Sequence, residues 1–347
     1  MIYLFLTYKL NPRKLVINNW LLVILLANLI FSINPLSTLS WSLHFLLYIF
    51  FVSSLRSSDI RYTMGYALLP SSLFQLTLSV AQVWLGRSIQ GPLYYLGERM
   101  VSVGQPGVAL ATFMDQVVLR AYGTFGHPNV LAGWLVIVFL IIHKLHNLQT
   151  YQSLVRIRMY WCTLVITILG ALLTQSRSAL VTLLGLVIPI YILKSLRVRA
   201  LYFIVLFSLA IGYWSLLVPD RADLSLSERL SLQSISLQTI ANYPIFGTGA
   251  QASITAYPQL NTSFRLLQPD HNSFTLVISW LGLIGVFAIL YYFRLCFEFR
   301  ISNFEFILPI LPLLLLDHYL LTSPQGLLIL LLYLKVVNYS HVQKHRQ

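Results

Sequence analysis

The chain has 347 residues, 57% of them hydrophobic and only 10% charged, with a mean hydropathy of +0.75. A soluble fold cannot hide that much apolar side chain behind a polar coat, so a soluble enzyme, a disordered protein and a disulfide scaffold are excluded and a polytopic membrane protein remains. The formal net charge of +13 falls in alternate inter-span segments, among them Lys9, Arg13, Lys14, Arg156, Arg158, Lys194, Arg197 and Arg199, while the other side is neutral. It therefore reads as a positive-inside signal that sets topology, with no nucleic-acid partner implied.

From the N-terminus, apolar runs suggest about ten transmembrane helices, near 15–33, 36–55, 62–85, 127–143, 159–174, 178–193, 200–218, 272–293, 305–321 and 324–338. Backbone groups in lipid must be satisfied within the segment, so an all-α polytopic fold is expected. The first run follows Lys9, Arg13 and Lys14 and ends at Ile33-Asn34-Pro35 with no small-residue cleavage site, so it reads as a signal anchor. Both termini are then cytoplasmic and the chain 1–347 forms a single integral membrane domain.

Two loops are longer than a turn, and both fall on the outer face. The first, 86–126, is rich in glycine turns, with 108–120 expected as a short interfacial helix. The second, 219–270, carries an amphipathic stretch over 225–242 with apolar residues at Leu226, Leu230, Ile235, Leu237 and Ile240. Cys162 and Cys296 lie in or beside apolar runs and read as buried free thiols, with no disulfide or zinc spacing.

The residues fit for chemistry gather at the outer ends of the spans. Arg120-Ala-Tyr-Gly-Thr-Phe-Gly-His127-Pro-Asn129 is either a glycine turn leading into a helix or the polar mouth of a cavity. Thr174-Gln-Ser-Arg177-Ser178 is a very short turn between spans, where an arginine is expensive unless paired or used. A guanidinium there suits bidentate capture of a phosphate. Glu228-Arg229 reads first as a solvated surface ion pair and only then as a site. Gln268-Pro-Asp270-His271-Asn272 opens the next span, with Asp270 as a candidate N-cap and His271 as a candidate general base. Asp317-His318 is a weaker feature, and His44 lies deeper as an expected helix–helix contact. No phosphate loop, DxD, HExxH or GxSxG motif occurs, so no metal or cofactor is expected.

His271-Asn272 is followed by nine residues and then Gly282-Leu-Ile-Gly285-Val286. That spacing resembles the outer-loop motif of the O-antigen ligase and O-antigen polymerase superfamily of bacterial membrane glycosyltransferases. The Gly-Thr-Phe-Gly-His127-Pro-Asn129 block, the Ser176-Arg177-Ser178-Ala179 turn and the Arg229…Asn242-Tyr-Pro-Ile-Phe-Gly247-Thr-Gly249 block are similar to that family too, so the likeness spans 120–290. The resemblance implies a helical GT-C-like enzyme of the cell membrane, serving polysaccharide biosynthesis of the cell envelope. Its donor would be an undecaprenyl-diphosphate-linked glycan, used without metal or cofactor, and its acceptor a glycan, glycolipid or protein. It implies His271 as base and Arg177 and Arg229 as diphosphate clamps, with Arg120, His127 and Asn272 as further candidates. The alternative is a non-enzymatic transporter of a small or lipid-linked anion, against which stands the clustering of polar groups at one face rather than at the midplane.

Overall fold

The computed structural model describes residues 19–55, 57–113, 116–147, 154–192, 201, 221–257, 266–297 and 308–344. The first described elements are two helices, α1 (Asn19–Ile30) and α2 (Pro35–Ser54). They are separated by a four-residue turn in which Asn34 caps α2 by accepting from the Ser37 N–H. The long helix α3 (Ser57–Leu85) follows, then a short turn of helix α4 (Pro92–Tyr95). A hairpin of β1 (Leu110–Phe113) and β2 (Gln116–Leu119) leads to α5 (Pro128–Asn147) and α6 (Leu154–Thr174). A tight corner starts α7 (Arg177–Leu180), which widens into a π-helical stretch over Val181–Ile192. After α8 (Arg221–Asn242) and the single turn α9 (Ser253–Ala256) comes α10 (Ser273–Phe297). The chain finishes with α11 (Leu311–Leu316), α12 (Tyr319–Thr322) and α13 (Pro324–Lys344).

The central element is α5. Its residues Leu131, Ala132 and Leu135–Ile141 are at most 1% exposed, because α3, α6 and α13 surround it. A helix that is apolar all round must be enclosed in this way. Between helices in lipid, close backbone approach replaces the hydrophobic drive. Gly170 of α6 supplies it, since a Cβ there would lie 2.2 Å from Leu135 Cδ1. Gly133 of α5 supplies it again, because the Tyr319 ring occupies the space of its missing side chain.

Five described helical segments are long and apolar enough to cross a membrane: Pro35–Ser54, Ala67–Leu85, Pro128–His146, Ile157–Thr174 and Ser273–Tyr291. Leu21–Ile30 and Pro324–Val337 are shorter apolar helices. Large apolar side chains face outward along these elements, including Leu26, Leu43, Phe74, Val165 and Phe287. On a water-soluble surface such continuous apolar faces would drive aggregation; facing lipid, they are what a spanning helix presents.

Several expectations need correction. The expected span at 200–218 and the beginning of that at 15–33 lie largely outside the described residues. The run at 305–321 is not one helix: α11 stops at Leu316, and the extended backbone of Asp317 breaks the chain before α12. The all-α expectation fails at 108–120, expected as an interfacial helix. Antiparallel pairing joins Leu110 to Leu119 and Thr112 to Val117, as suits the β-branched residues Thr112, Val117 and Val118. His44 does not bridge helices; its Nδ1 bonds the Ser40 carbonyl within α2. Cys162, expected buried, is a free and exposed thiol.

Candidate functional site

The start of α10 is built by its own side chains. Asn272, not Asp270, is its N-cap: the Asn272 side-chain oxygen accepts from the N–H groups of Phe274 at 2.9 Å and Thr275 at 3.4 Å. Asp270, 1% exposed, accepts from the Asn272 N–H at 3.1 Å and from the Thr275 hydroxyl. These two tight side-chain turns fix the backbone on both sides of His271, which lies half-buried between them.

His271 faces the break between α11 and α12. Its Nδ1 lies 3.4 Å from Oδ1 of Asp317, and its ring centroid lies 5.3 Å from that of His318. Asp317 is the hub of the site. Its Oδ2 accepts from Asn129 Nδ2 at 3.1 Å and from the Ser178 hydroxyl at 3.0 Å. Its backbone carbonyl accepts from Ser273 Oγ at 2.8 Å. Burial pushes the carboxyl upward, but the hydrogen bond from His271 and the electrostatic influence of His271, His318 and Arg229 outweigh it. The carboxyl is thus held below its ordinary range and stays ionised at neutral pH.

Arg120 ties the hairpin to the same hub. It donates through Nε to the Thr174 carbonyl at 2.7 Å, and through Nη2 to Asn129 Oδ1 at 2.7 Å and the Gln175 carbonyl at 3.4 Å. Arg120, Asn129 and Asp317 therefore form a continuous chain of hydrogen bonds. It joins the end of the hairpin, the starts of α5 and α7 and the α11–α12 break. Arg120 is committed to backbone carbonyls and to Asn129. His127 donates no bond of this kind; its Nδ1 accepts from the Asn129 N–H at 3.2 Å. Burial of part of its ring, with the Arg120 charge next in effect, pushes its pKa down to about 4.

The two remaining arginines flank the hub. Arg177 begins α7 and is exposed, with no hydrogen bond or ion pair recorded for its side chain among the described residues. It stands close enough to Arg120 for their charges to act on each other. Arg229 projects from α8, and its Nη1 donates to the Leu316 carbonyl at 3.2 Å. One end of the bundle thus gathers Arg229, His127, His271 and His318 near the Asp317 carboxylate, with Arg177 near Arg120.

Two features were not legible as parts of a site. Asp317 was read only as a neighbour of His318, whereas its partner is a histidine 46 residues earlier. The second feature is a clamp from α3. Gln82, fully buried, donates through its amide to Glu98 and to the Gly123 carbonyl, each at 2.9 Å. Its carbonyl accepts from the N–H groups of Tyr122 and Gly123. Gln75, seven residues earlier on the same helix face, pairs with Thr124 at both ends of its amide. Gly123 has φ +57°, and a Cβ there would lie 2.3 Å from Gln75 Oε1. The glycine block before His127 is therefore a backbone strand gripped by two glutamines. Arg99, next to Glu98, adds a bond of 2.6 Å to the Gly126 carbonyl.

The Asn242-Tyr-Pro-Ile-Phe-Gly247-Thr-Gly249 block is likewise a crossing point. Gly247 passes so close to α10 that a Cβ would sit 2.5 Å from the Gly282 nitrogen and the Trp280 carbonyl. Gly282 itself has φ 61° and ψ −176°, a conformation reserved for glycine, and it kinks α10. The N–H groups of Leu283 and Ile284 released by the kink donate to the carbonyls of Pro244 and Ile245. On the other side, Asn28 of α1 donates to the Trp280 and Phe246 carbonyls and accepts from the Ala250 N–H.

No curated protein matches the chain. Residues 162–290 match the family model described as O-antigen ligase. That stretch runs from α6 into α10 and includes Arg177, Arg229, His271 and the Gly247–Gly282 crossing. Over residues 162–290, rather more than a third of its length, the chain is thus similar to the O-antigen ligase domain.

Proposed function

We propose that this protein is a membrane glycosyltransferase that transfers or polymerises an undecaprenyl-diphosphate-linked glycan on the outer face of the cytoplasmic membrane. The reading needs neither metal nor cofactor. His271 is the general base. With its Nδ1–H directed at the ionised Asp317, its Nε2 carries the free lone pair and takes the proton of the acceptor hydroxyl. The acceptor oxygen then bonds to the anomeric carbon as the bond from that carbon to the diphosphate oxygen breaks. The carrier diphosphate leaves with the electron pair, and the guanidiniums of Arg177 and Arg229 stabilise its growing charge. Arg120 and Asn272 position the hub and the helix start, and His127 borders the acceptor side. The acceptor is a glycan, a glycolipid or a protein.

The observation that carries this reading is the His271–Asp317 pair set among cationic side chains at one end of the bundle. A base oriented by a carboxylate is the arrangement that activates a hydroxyl. An anion transporter is expected to hold its ionisable groups near the bilayer midplane rather than clustered at one end.

The test is the surface-glycan profile of the native host carrying either the wild-type or the His271→Ala protein at matched expression. Loss of transfer with full membrane insertion is expected. Long chains collapsing to single repeats would mark a polymerase. Long chains stranded on the lipid carrier would mark a ligase. An unchanged profile would remove His271 from the reaction.

A further inference from the structure

The loop that follows α3 is built inside out. Glu98, the one carboxylate of residues 84–103, is 1% exposed and accepts from the N–H groups of Ile89 at 2.9 Å and Gln90 at 2.6 Å as well as from Gln82. Ser88 is also buried, bonded to both backbone groups of Val101. The apolar side chains point the other way. Trp84 is 86% and Tyr95 87% exposed, and Ile89, Tyr94, Leu96 and Met100 are exposed with them.

A loop evolved for water has the opposite arrangement, with charges outward and aromatic rings inward. An apolar surface of this extent needs a partner. Its position says which. Trp84 and Leu85 are the last residues of a segment apolar enough to cross a membrane. The exposed face of that segment, with Leu73, Phe74 and Val80, continues directly into the loop. Aromatic rings beside a spanning helix are favoured at the boundary between headgroups and acyl chains. With Glu98 sealed inside, Arg87 and Arg99 leave the loop's outer charge positive, which suits lipid phosphates.

We propose that residues 84–103 lie in the lipid interface, as a monotopic element in the leaflet on the side of the candidate site. The loop's Arg99 holds the Gly126 carbonyl next to His127, so the mouth of the site opens at headgroup level. A lipid-borne substrate then enters sideways from the leaflet and not from bulk water.

Full-length protein in nanodiscs of phosphatidylethanolamine and phosphatidylglycerol tests this without any transfer assay, so its outcome is independent of the proposed reaction. Tyr95→Cys and Met100→Cys, each in a Cys162→Ser, Cys296→Ser background, would carry a nitroxide. Phe287→Cys on the exposed face of α10 is the lipid standard, and a labelled soluble peptide is the water standard. We expect both loop labels to relax with oxygen like the lipid standard and to be shielded several-fold from a nickel chelate. Nickel accessibility equal to the peptide's would overturn the proposal. Shielding from both relaxants would overturn it too, by revealing a protein partner or a second copy. Quenching of tryptophan fluorescence by brominated lipids is the second measurement. Trp84→Phe should lower the quenched fraction, and an unchanged fraction counts against the loop's immersion.

Discussion

Asp317 has an anionic side chain with all its neighbours donating to it: Asn129 and Ser178 by hydrogen bonds, and His271 through Nδ1. Replacing the carboxylate by an amide keeps the shape but puts an N–H₂ where donors already point. Asp317→Asn should therefore lower turnover by about 10²-fold or more, the contribution of an oriented base, with a much smaller change in KM. Steady-state assay of the purified protein checks it; unchanged turnover would make Asp317 purely structural. The His271 motif was readable because its residues are consecutive. Asp317 was not, because nothing in a sequence marks a contact between chain positions 46 residues apart. His318 bonds Thr322, one helical turn along. Asn129 shows the same difficulty: read as a helix start, it bridges Arg120 to Asp317.

At the level of elements, helix positions followed hydrophobic run length well, because lipid admits few alternatives. Runs expected at 36–55, 127–143 and 159–174 became α2, α5 and α6. The amphipathic stretch at 225–242 became most of α8. The failures were local. The 108–120 hairpin depends on cross-strand pairing that competes with helix only once both strands are present. The Gly282–Gly285 pair was visible as spacing, but its physical purpose was not. Gly282 stores a conformation that only glycine adopts and sits against the Ile245 carbonyl. Gly282→Ala should cost at least about 1–3 kcal/mol from the backbone strain alone, before the clash is counted. Thermal unfolding in detergent should show the loss, whereas Gly185→Ala, with open space around it, should be neutral or stabilising. An equal effect of both substitutions would remove the crossing as the cause.

On the scale of the molecule, the N-terminal third had no recognisable motif, yet it braces the site. Through Gln75 and Gln82, α3 grips the strand before His127. Gln82→Leu would leave the Glu98 carboxylate and the Tyr122 and Gly123 N–H groups without a shared partner, each worth about 1–3 kcal/mol when buried. The expected result is a protein that still inserts, with lowered thermal stability and lowered transfer. Wild-type behaviour on both measures would show that the clamp is dispensable. Glutamine is a common helix residue, and two of them seven positions apart in an apolar run gave no hint of what they hold.

Asn28 has a consequence for biosynthesis. Its amide partner, the Trp280 carbonyl, is 252 residues further along the chain, and its other partners lie on the loop just before. At roughly 5–20 residues per second on the ribosome, about 13–50 s pass before that partner has been made. During that interval α1 is in the membrane with an unsatisfied carboxamide, and the helices that emerge in between must leave its seat vacant. Helix α1 is thus among the last of the described helices to be locked in place, and assembly is completed by stitching it to α10 around the crossing at Gly247.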